Sequence, residues 1–240
     1  MECVEVEPLA SPSPAFPLGG DPLGRDALCV FLSLLPNTLT AQVAAIATSF
    51  AFLWILVLLA ASSKIRRIER SSLSLANGFP KLPFFVFLSL VVSLTPLQIG
   101  ALVGILGSIR YAIGLLERAE EIMNECFSVA SLSSGGTKIW VVRKHVLPHL
   151  IGLILRSSLI VGAIAVHAEV GLGMMGLEDV RHQGIGQLVY LVLNTPGAIQ
   201  TQAGLIQALF VTSFSTFLSA VPMILRASLP SIRDRKRYLK

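Results

Sequence analysis

Charge is what this chain has least of. Asp, Glu, Lys and Arg make up 14% of its 240 residues, against roughly 25% in a soluble globule. That is too little to coat a water-facing surface. With hydrophobic residues at 53% and a mean hydropathy of +0.74, it excludes an intrinsically disordered chain and a soluble enzyme with an ordinary buried core. Cysteine is equally scarce. Cys3, Cys29 and Cys126 are odd in number, far apart and without a CxxC pair, so neither a structural disulfide nor a cysteine-held metal is expected. The first residues lack a basic stretch followed by an apolar one, which excludes a signal peptide. The net charge of +5 comes from short clusters beside apolar blocks. No basic-aromatic stripe is present, so nucleic acid is excluded as a partner. What remains is an all-α integral membrane protein.

The apolar blocks give about five transmembrane helices. Residues 1–38 are polar, proline-rich and acidic, with Glu2, Glu5, Glu7, Asp21 and Asp26 against Arg25 alone, and are read as an extracytoplasmic segment. Residues 39–240 are read as the transmembrane domain. Leu39 to Ser62 carries no charge and is long enough to cross a bilayer core, which takes about 20 apolar residues. It ends on KIRRIER, Lys64 to Arg70. Leu82 to Leu116 is too long for one crossing and breaks at Thr95-Pro96, because a proline biases its predecessor away from helix. The first of these two spans is expected to begin before Pro80. Leu147 to Ala168 and Leu205 to Leu225 complete the set. The segment GQLVYLVL, beginning at Gly186, is too short to cross and suits an interfacial or re-entrant stretch.

Five spans place the termini on opposite sides. With the C-terminus in the cytoplasm, sixteen Lys and Arg residues fall inside and only Arg25 and Arg181 outside, a decisive bias for short loops. The N-terminus is therefore expected outside, the tail inside, and residues 117–146 in the cytoplasm.

Catalytic chemistry finds no site. His145 and His149 have a helical metal-binding spacing, but Pro148 lies between them and no third ligand is near, so they read as solvated loop histidines. No GxSxG elbow occurs. LSSGGTK, Leu132 to Lys138, is read as a turn between two short helices, since no GxxxxGK[ST] phosphate loop accompanies it. No catalytic residue, cofactor or metal is expected. Arg156, inside a span, either faces an internal pathway or snorkels to lipid headgroups. Glu169, at the outer end of the same span, reads as a solvated interfacial carboxylate. Gly100, Gly104 and Gly107 offer a small-residue face for a partner helix or for packing within the chain.

Four stretches, in order, resemble the permease subunits of dipeptide, oligopeptide and nickel ABC importers, specifically their C type. FPLGGDPLGRD, Phe16 to Asp26, resembles the family's HPLGTDxLGRD. LANGFP, Leu75 to Pro80, resembles LLAFP. The polar loop resembles the coupling loop, in which EAA and a glycine are followed by ILP. Here Ala130, Gly135, Val146, Leu147 and Pro148 fall on that frame. EVGLGMMGLE, Glu169 to Glu178, resembles ExSLSFLGLG.

The resemblance implies a type I importer permease fold whose cytoplasmic loop docks two short helices on a separate ATPase. Gly135-Gly136 would supply the corner between them, and Pro148 would set the start of the next span. It further implies a heterodimer with a second permease, two ABC ATPase subunits, an extracytoplasmic solute-binding protein, surrounding lipid and a bacterial inner membrane. Gly24, Arg25, Asp26 and Glu169 would be motif positions outside the membrane. There are departures. The EAA glutamate falls on Val129, with Glu125 one turn earlier as a substitute. The family's first span is also missing, so that either the start is truncated or the acidic tail is exported directly. These leave open a permease for nickel or another small solute, and a degenerate permease acting as a membrane scaffold.

Overall fold

A computed structural model of the chain describes residues 3–59, 72–73 and 75–228. The KIRRIER cluster and the basic tail after Arg226 therefore lie outside the described residues, as does the far end of the first predicted span. The described residues are mainly helical, with isolated bridges but no strand among them. In chain order the helices are α1 (Ala27–Leu59), α2 (Lys81–Val91), α3 (Pro96–Met123), α4 (Cys126–Ser133), α5 (Lys138–Val141), α6 (Leu147–Met174), α7 (Gly186–Asn194) and α8 (Gln202–Ser228). A π-helical turn, Val142–Val146, joins α5 to α6.

Four described stretches are long and apolar enough to cross a membrane: α1, α3, the continuous helix Lys138–Met174, and α8. The second predicted span corresponds to α2, which begins at Lys81 and not before Pro80, and has 11 residues. The break at Thr95-Pro96 is present, with α2 ending at Val91 and Pro96 opening α3, where its missing N–H costs nothing. α1 begins at Ala27, twelve residues before the predicted Leu39, so its 33 residues run for about 50 Å. The sequence hid this start because Pro36 sits inside the helix. α7, with nine residues, is about 14 Å long and cannot cross a membrane.

The fold divides into two compact units. The first comprises Met1–Ala44, Leu82–Gly100 and Gly162–Val221; the second comprises Ala45–Lys81, Ala101–Val161 and Pro222–Lys240. The first unit's core joins Val30 and Phe31 of α1 to Val166 and Val170 of α6, Leu188 and Val189 of α7, and Val211 and Leu218 of α8. Phe31 meets Phe210 and Phe214 edge-on at 5.0 and 4.9 Å, the arrangement that ring quadrupoles prefer.

The second unit's core gathers Leu53 and Val57 of α1, Leu115, Leu116 and Ala119 of α3, and Val142, Val146, Leu147, Leu150 and Ile154 around the start of α6. The small-residue face works within the chain. In the first unit a Cβ on Gly100 would lie 2.8 Å from the Cα of Ala41. In the second, one on Gly104 would lie 2.8 Å from the carbonyl oxygen of Ala45. These two glycines bring α3 against α1.

Cys3 and Cys29 form a disulfide, with Cα atoms 5.7 Å apart. This corrects the expectation from spacing. The odd count reflects one free cysteine, the exposed Cys126, and the pairing is created by the turn at residues 19–26, which returns the chain to α1.

Candidate functional site

The polar loop after α3 is a helical hairpin. The Ser128 hydroxyl donates to the carbonyl of Ile122 at 2.7 Å and is buried, fixing α4 to the end of α3. α4 ends in a paired closure. Gly136 N–H donates to Ser131 O at 3.0 Å and Gly135 N–H to Leu132 O at 3.1 Å, with Gly135 at φ 91°. This is the Schellman arrangement, in which the residue after the cap must be left-handed. The Thr137 hydroxyl then accepts from Trp140 N–H at 3.3 Å, capping α5.

The predicted loop residues separate into two sets. Val146 and Leu147 are buried in the second unit's core beside Val141 and Val142, and hold the hairpin in place. Glu125, Ala130 and Gly135 are exposed. Glu125 is the residue before α4 and makes no side-chain cap. Missed by motif matching are the outward apolar side chains Phe127, Val129, Ile139 and Trp140, with Ile139 67% and Trp140 45% exposed. Ala130, Ser131, Ser134, Gly135, Gly136, Thr137 and Trp140 line an open groove of about 580 Å³.

Pro148 is the second residue of α6, which continues from α5 through the π turn. It lies within the continuous helix Lys138–Met174. An α-helical proline would clash with the carbonyl four residues back, and the wider π turn relieves that contact. His145 and His149 are helical, not loop residues; His145 is half-buried, His149 is exposed, and both pack against the Phe127 ring. His145 lies 5.5 Å from Phe127 and 5.7 Å from Trp140, and its Nε2 is 3.2 Å from Ser131 Oγ. The Lys144 ammonium stands 4.9 Å over the Trp140 ring. Arg156 is half-buried in α6.

A second constellation lies in the first unit. Asp21, fully buried, accepts from Arg25 N–H at 2.8 Å, from Leu23 N–H at 3.0 Å, and from the Arg25 guanidinium at 2.7 and 2.9 Å. Gly24 is at φ 78°. Asp26 accepts from Leu28 N–H at 3.1 Å and so caps α1. The Gly-Arg-Asp motif is thus a folded turn that launches the helix, with Asp21 at its centre. Gln207 of α8 clamps the turn by donating to Leu18 O and Gly20 O at 3.1 and 2.8 Å.

Glu169 is not solvated; its exposure is 0%. Its Oε1 accepts from the Thr38 hydroxyl at 3.1 Å, and that hydroxyl accepts from Ile185 N–H at 3.1 Å. Beside it lies Glu178, 7% exposed, whose Oε2 accepts from Gly184 N–H at 2.8 Å. Burial pushes the Glu178 carboxyl above its ordinary range. By contrast, the half-buried Asp179 is held below the usual range by its hydrogen bond to His182, 2.9 Å away. No group of three His, Cys, Asp or Glu side chains that could hold a metal occurs among the described residues.

Among the described residues, then, four helical stretches could cross a membrane, and a helical hairpin stands between two of them. Residues 57–229 match the family of binding-protein-dependent transport system inner membrane components. The chain belongs to this family, the inner-membrane permeases of ABC importers, and is a multi-pass protein of the cytoplasmic membrane. The family is a transport component and not a known enzyme, and its members generally work with other permease, ATPase and binding-protein subunits. No curated protein matches the chain. The helical hairpin and both buried glutamates lie inside the matched region, while the Gly-Arg-Asp turn precedes it.

Proposed function

We propose that this chain is a permease subunit of an ATP-driven peptide importer, forms half of the translocation pathway, and couples to a separate ATPase through residues 117–146. The carrying observation is the α4–α5 hairpin. Its closure positions Phe127, Val129, Ile139 and Trp140 outward, while Val141, Val142 and Val146 are fully buried. Exposed aromatics around an open groove suit a protein partner, since such residues dominate interface energetics. Because α5 runs without interruption into α6, a push on Trp140 is delivered to a transmembrane helix and not absorbed by a loop. Hydrolysis of ATP belongs to the partner, since this sequence has no phosphate loop.

Pairing with a second permease, two ATPases and an external solute-binding protein follows from the family's way of working. The charge bias supports an external N-terminus and a cytoplasmic tail, as does the Cys3–Cys29 disulfide, because such bonds persist in oxidising compartments. Peptide cargo is preferred to nickel because no Met, His and Cys cluster near the outer span ends marks a metal path in the sequence; the resemblance itself covers both cargoes. The test is uptake in cells lacking the gene and complemented with it, using labelled di- and oligopeptides and, separately, nickel ions. Peptide uptake that is restored by the wild-type chain and lost with Gly135→Pro supports the reading. Restored nickel uptake alone overturns the cargo, and normal peptide uptake with Gly135→Pro overturns the coupling loop.

A further inference from the structure

Glu169 and Glu178 meet at Gly184: a Cβ there would overlap the Glu169 carboxyl, and its N–H donates to Glu178 Oε2. Each has one oxygen satisfied, by Thr38 or by Gly184 N–H. The other oxygens, Glu169 Oε2 and Glu178 Oε1, are buried with no hydrogen-bond donor. Two ionised carboxylates cannot share such a place, because burial and mutual repulsion both oppose the second charge. A single negative charge is tolerable, since the Gly184 and Ile185 N–H groups sit at the start of α7, where the helix dipole favours an anion.

A metal ion does not fit. A Cβ on Gly184 would overlap the Glu169 carboxyl, and one on Gly173 would lie 3.2 Å from Glu178 Oε2, so the glycine walls close directly on the pair. The groups that face it from the packed elements are uncharged: Thr38 of α1, Gly173 of α6, and Gly184 before α7. The charged residues of the connection, Asp179, Arg181 and His182, are at least partly exposed, and Asp179 pairs with His182.

We infer that Glu169 and Glu178 form a proton-binding site that latches the connection 175–185, one proton bridging their two otherwise unpartnered oxygens. The latch joins three elements. Glu178 leads to Leu94, whose carbonyl accepts from Asp179 N–H at 3.1 Å; Thr38 holds Ile185; and Asn37 Nδ2 donates to Gln183 O at 2.8 Å. Loss of the proton to water places a second charge in the site, and repulsion then detaches residues 178–185 from Thr38 and Glu169. The raised Glu178 carboxyl has the matching sign: its contribution is complete at low pH and is lost as pH rises through its folded-state titration. This device stands independently of the ATPase-coupling reading.

The test uses the full chain in lipid nanodiscs. Infrared spectra report the C=O stretch of a protonated carboxyl, and hydrogen exchange, corrected for intrinsic rates, reports the Gly184 and Ile185 amides. The expected wild-type result is a protonated-carboxyl band at neutral pH that fades on alkalinisation, with exchange at these amides rising roughly tenfold per pH unit beyond the midpoint. Glu178→Gln supplies a permanent donor, and should remove the band and keep both amides protected at every pH. Glu169→Gln should do the same. A wild-type protein with no such band at neutral pH overturns the proposal, and this needs no variant to fold. So does a band whose loss leaves the two amides protected, or a pH-dependent rise in exchange that persists in both glutamine variants.

Discussion

The two units bury different chemistry. The first buries Asp21, Thr38, Gln42, Glu169, Glu178 and Gln207, whereas the buried polar residues of the second, among those described, are serines. Ser108, Ser128 and Ser158 each donate to a carbonyl within six residues in sequence and so connect nothing distant. In the first unit, Gln42 reaches the carbonyl of Leu218 at 3.1 Å, and Gln207 reaches the turn that precedes α1. Buried polar groups cost free energy unless partnered, and long-range partners can be satisfied in one arrangement only. The first unit is therefore specified by directional bonds and a disulfide. The second is specified by aliphatic packing, which tolerates small shifts, and it carries the exposed hairpin.

The largest expected effect breaks the hairpin. Gly135→Pro cannot adopt φ 91° or donate to Leu132, so ATP-driven uptake should be abolished while the protein still inserts in the membrane at normal level, measured by uptake alongside membrane quantification. A bulky substitution at Ala130 should act alike. Next, replacing Cys3 and Cys29 by serine removes the covalent tie on the N-terminal turn. The expected cost is about 3 kcal/mol, seen as a lower unfolding temperature in detergent and faster proteolysis before residue 27.

Gly184→Ala forces a methyl group into the Glu169 carboxyl and should cost about 1–3 kcal/mol. Gly114→Ala in the second unit, with nothing within 4 Å of the new carbon, should be neutral or slightly stabilising; equal losses in the two would erase the contrast between the units. Trp140→Ala should weaken ATPase binding about tenfold or more while changing unfolding by less than about 0.5 kcal/mol. The smallest effect is His182→Ala. Asp179, no longer held low, should titrate at higher pH in carboxyl-resolved spectra, with no measurable change in unfolding. The sign follows from linkage: the depressed carboxyl favours the folded turn above the ordinary carboxylate range and loses that favour as pH falls.

Helix content, the split at Pro96 and the glycine corner were legible in the sequence because each rests on a local rule: apolar length, proline sterics and left-handed backbone. Residues whose roles depend on distant partners were not. Glu169 reads as solvated until Thr38, 131 positions earlier, is seen against it, and Glu178 draws no notice at the end of EVGLGMMGLE until it is found beside Glu169. Cys3 and Cys29 looked unrelated for the same reason. The start of α1 was obscured by Pro36, whose fixed φ a helix accommodates at the loss of one hydrogen bond. The hairpin's outward Trp140 carried a local signal, an aromatic among the cations Lys138, Arg143 and Lys144. A frame built on EAA and LP passes over it.

The most direct test of coupling is affinity purification of the tagged full chain from native membranes in mild detergent, with partners identified by mass spectrometry, for the wild type and Gly135→Pro. Coupling through the hairpin requires the wild type to retain a second permease and an ATPase, and the variant to keep the permease while losing the ATPase. Recovery of the wild-type chain alone, or with unrelated membrane proteins, under conditions that preserve a known ABC complex, would contradict it and leave a scaffold that has kept only the permease architecture.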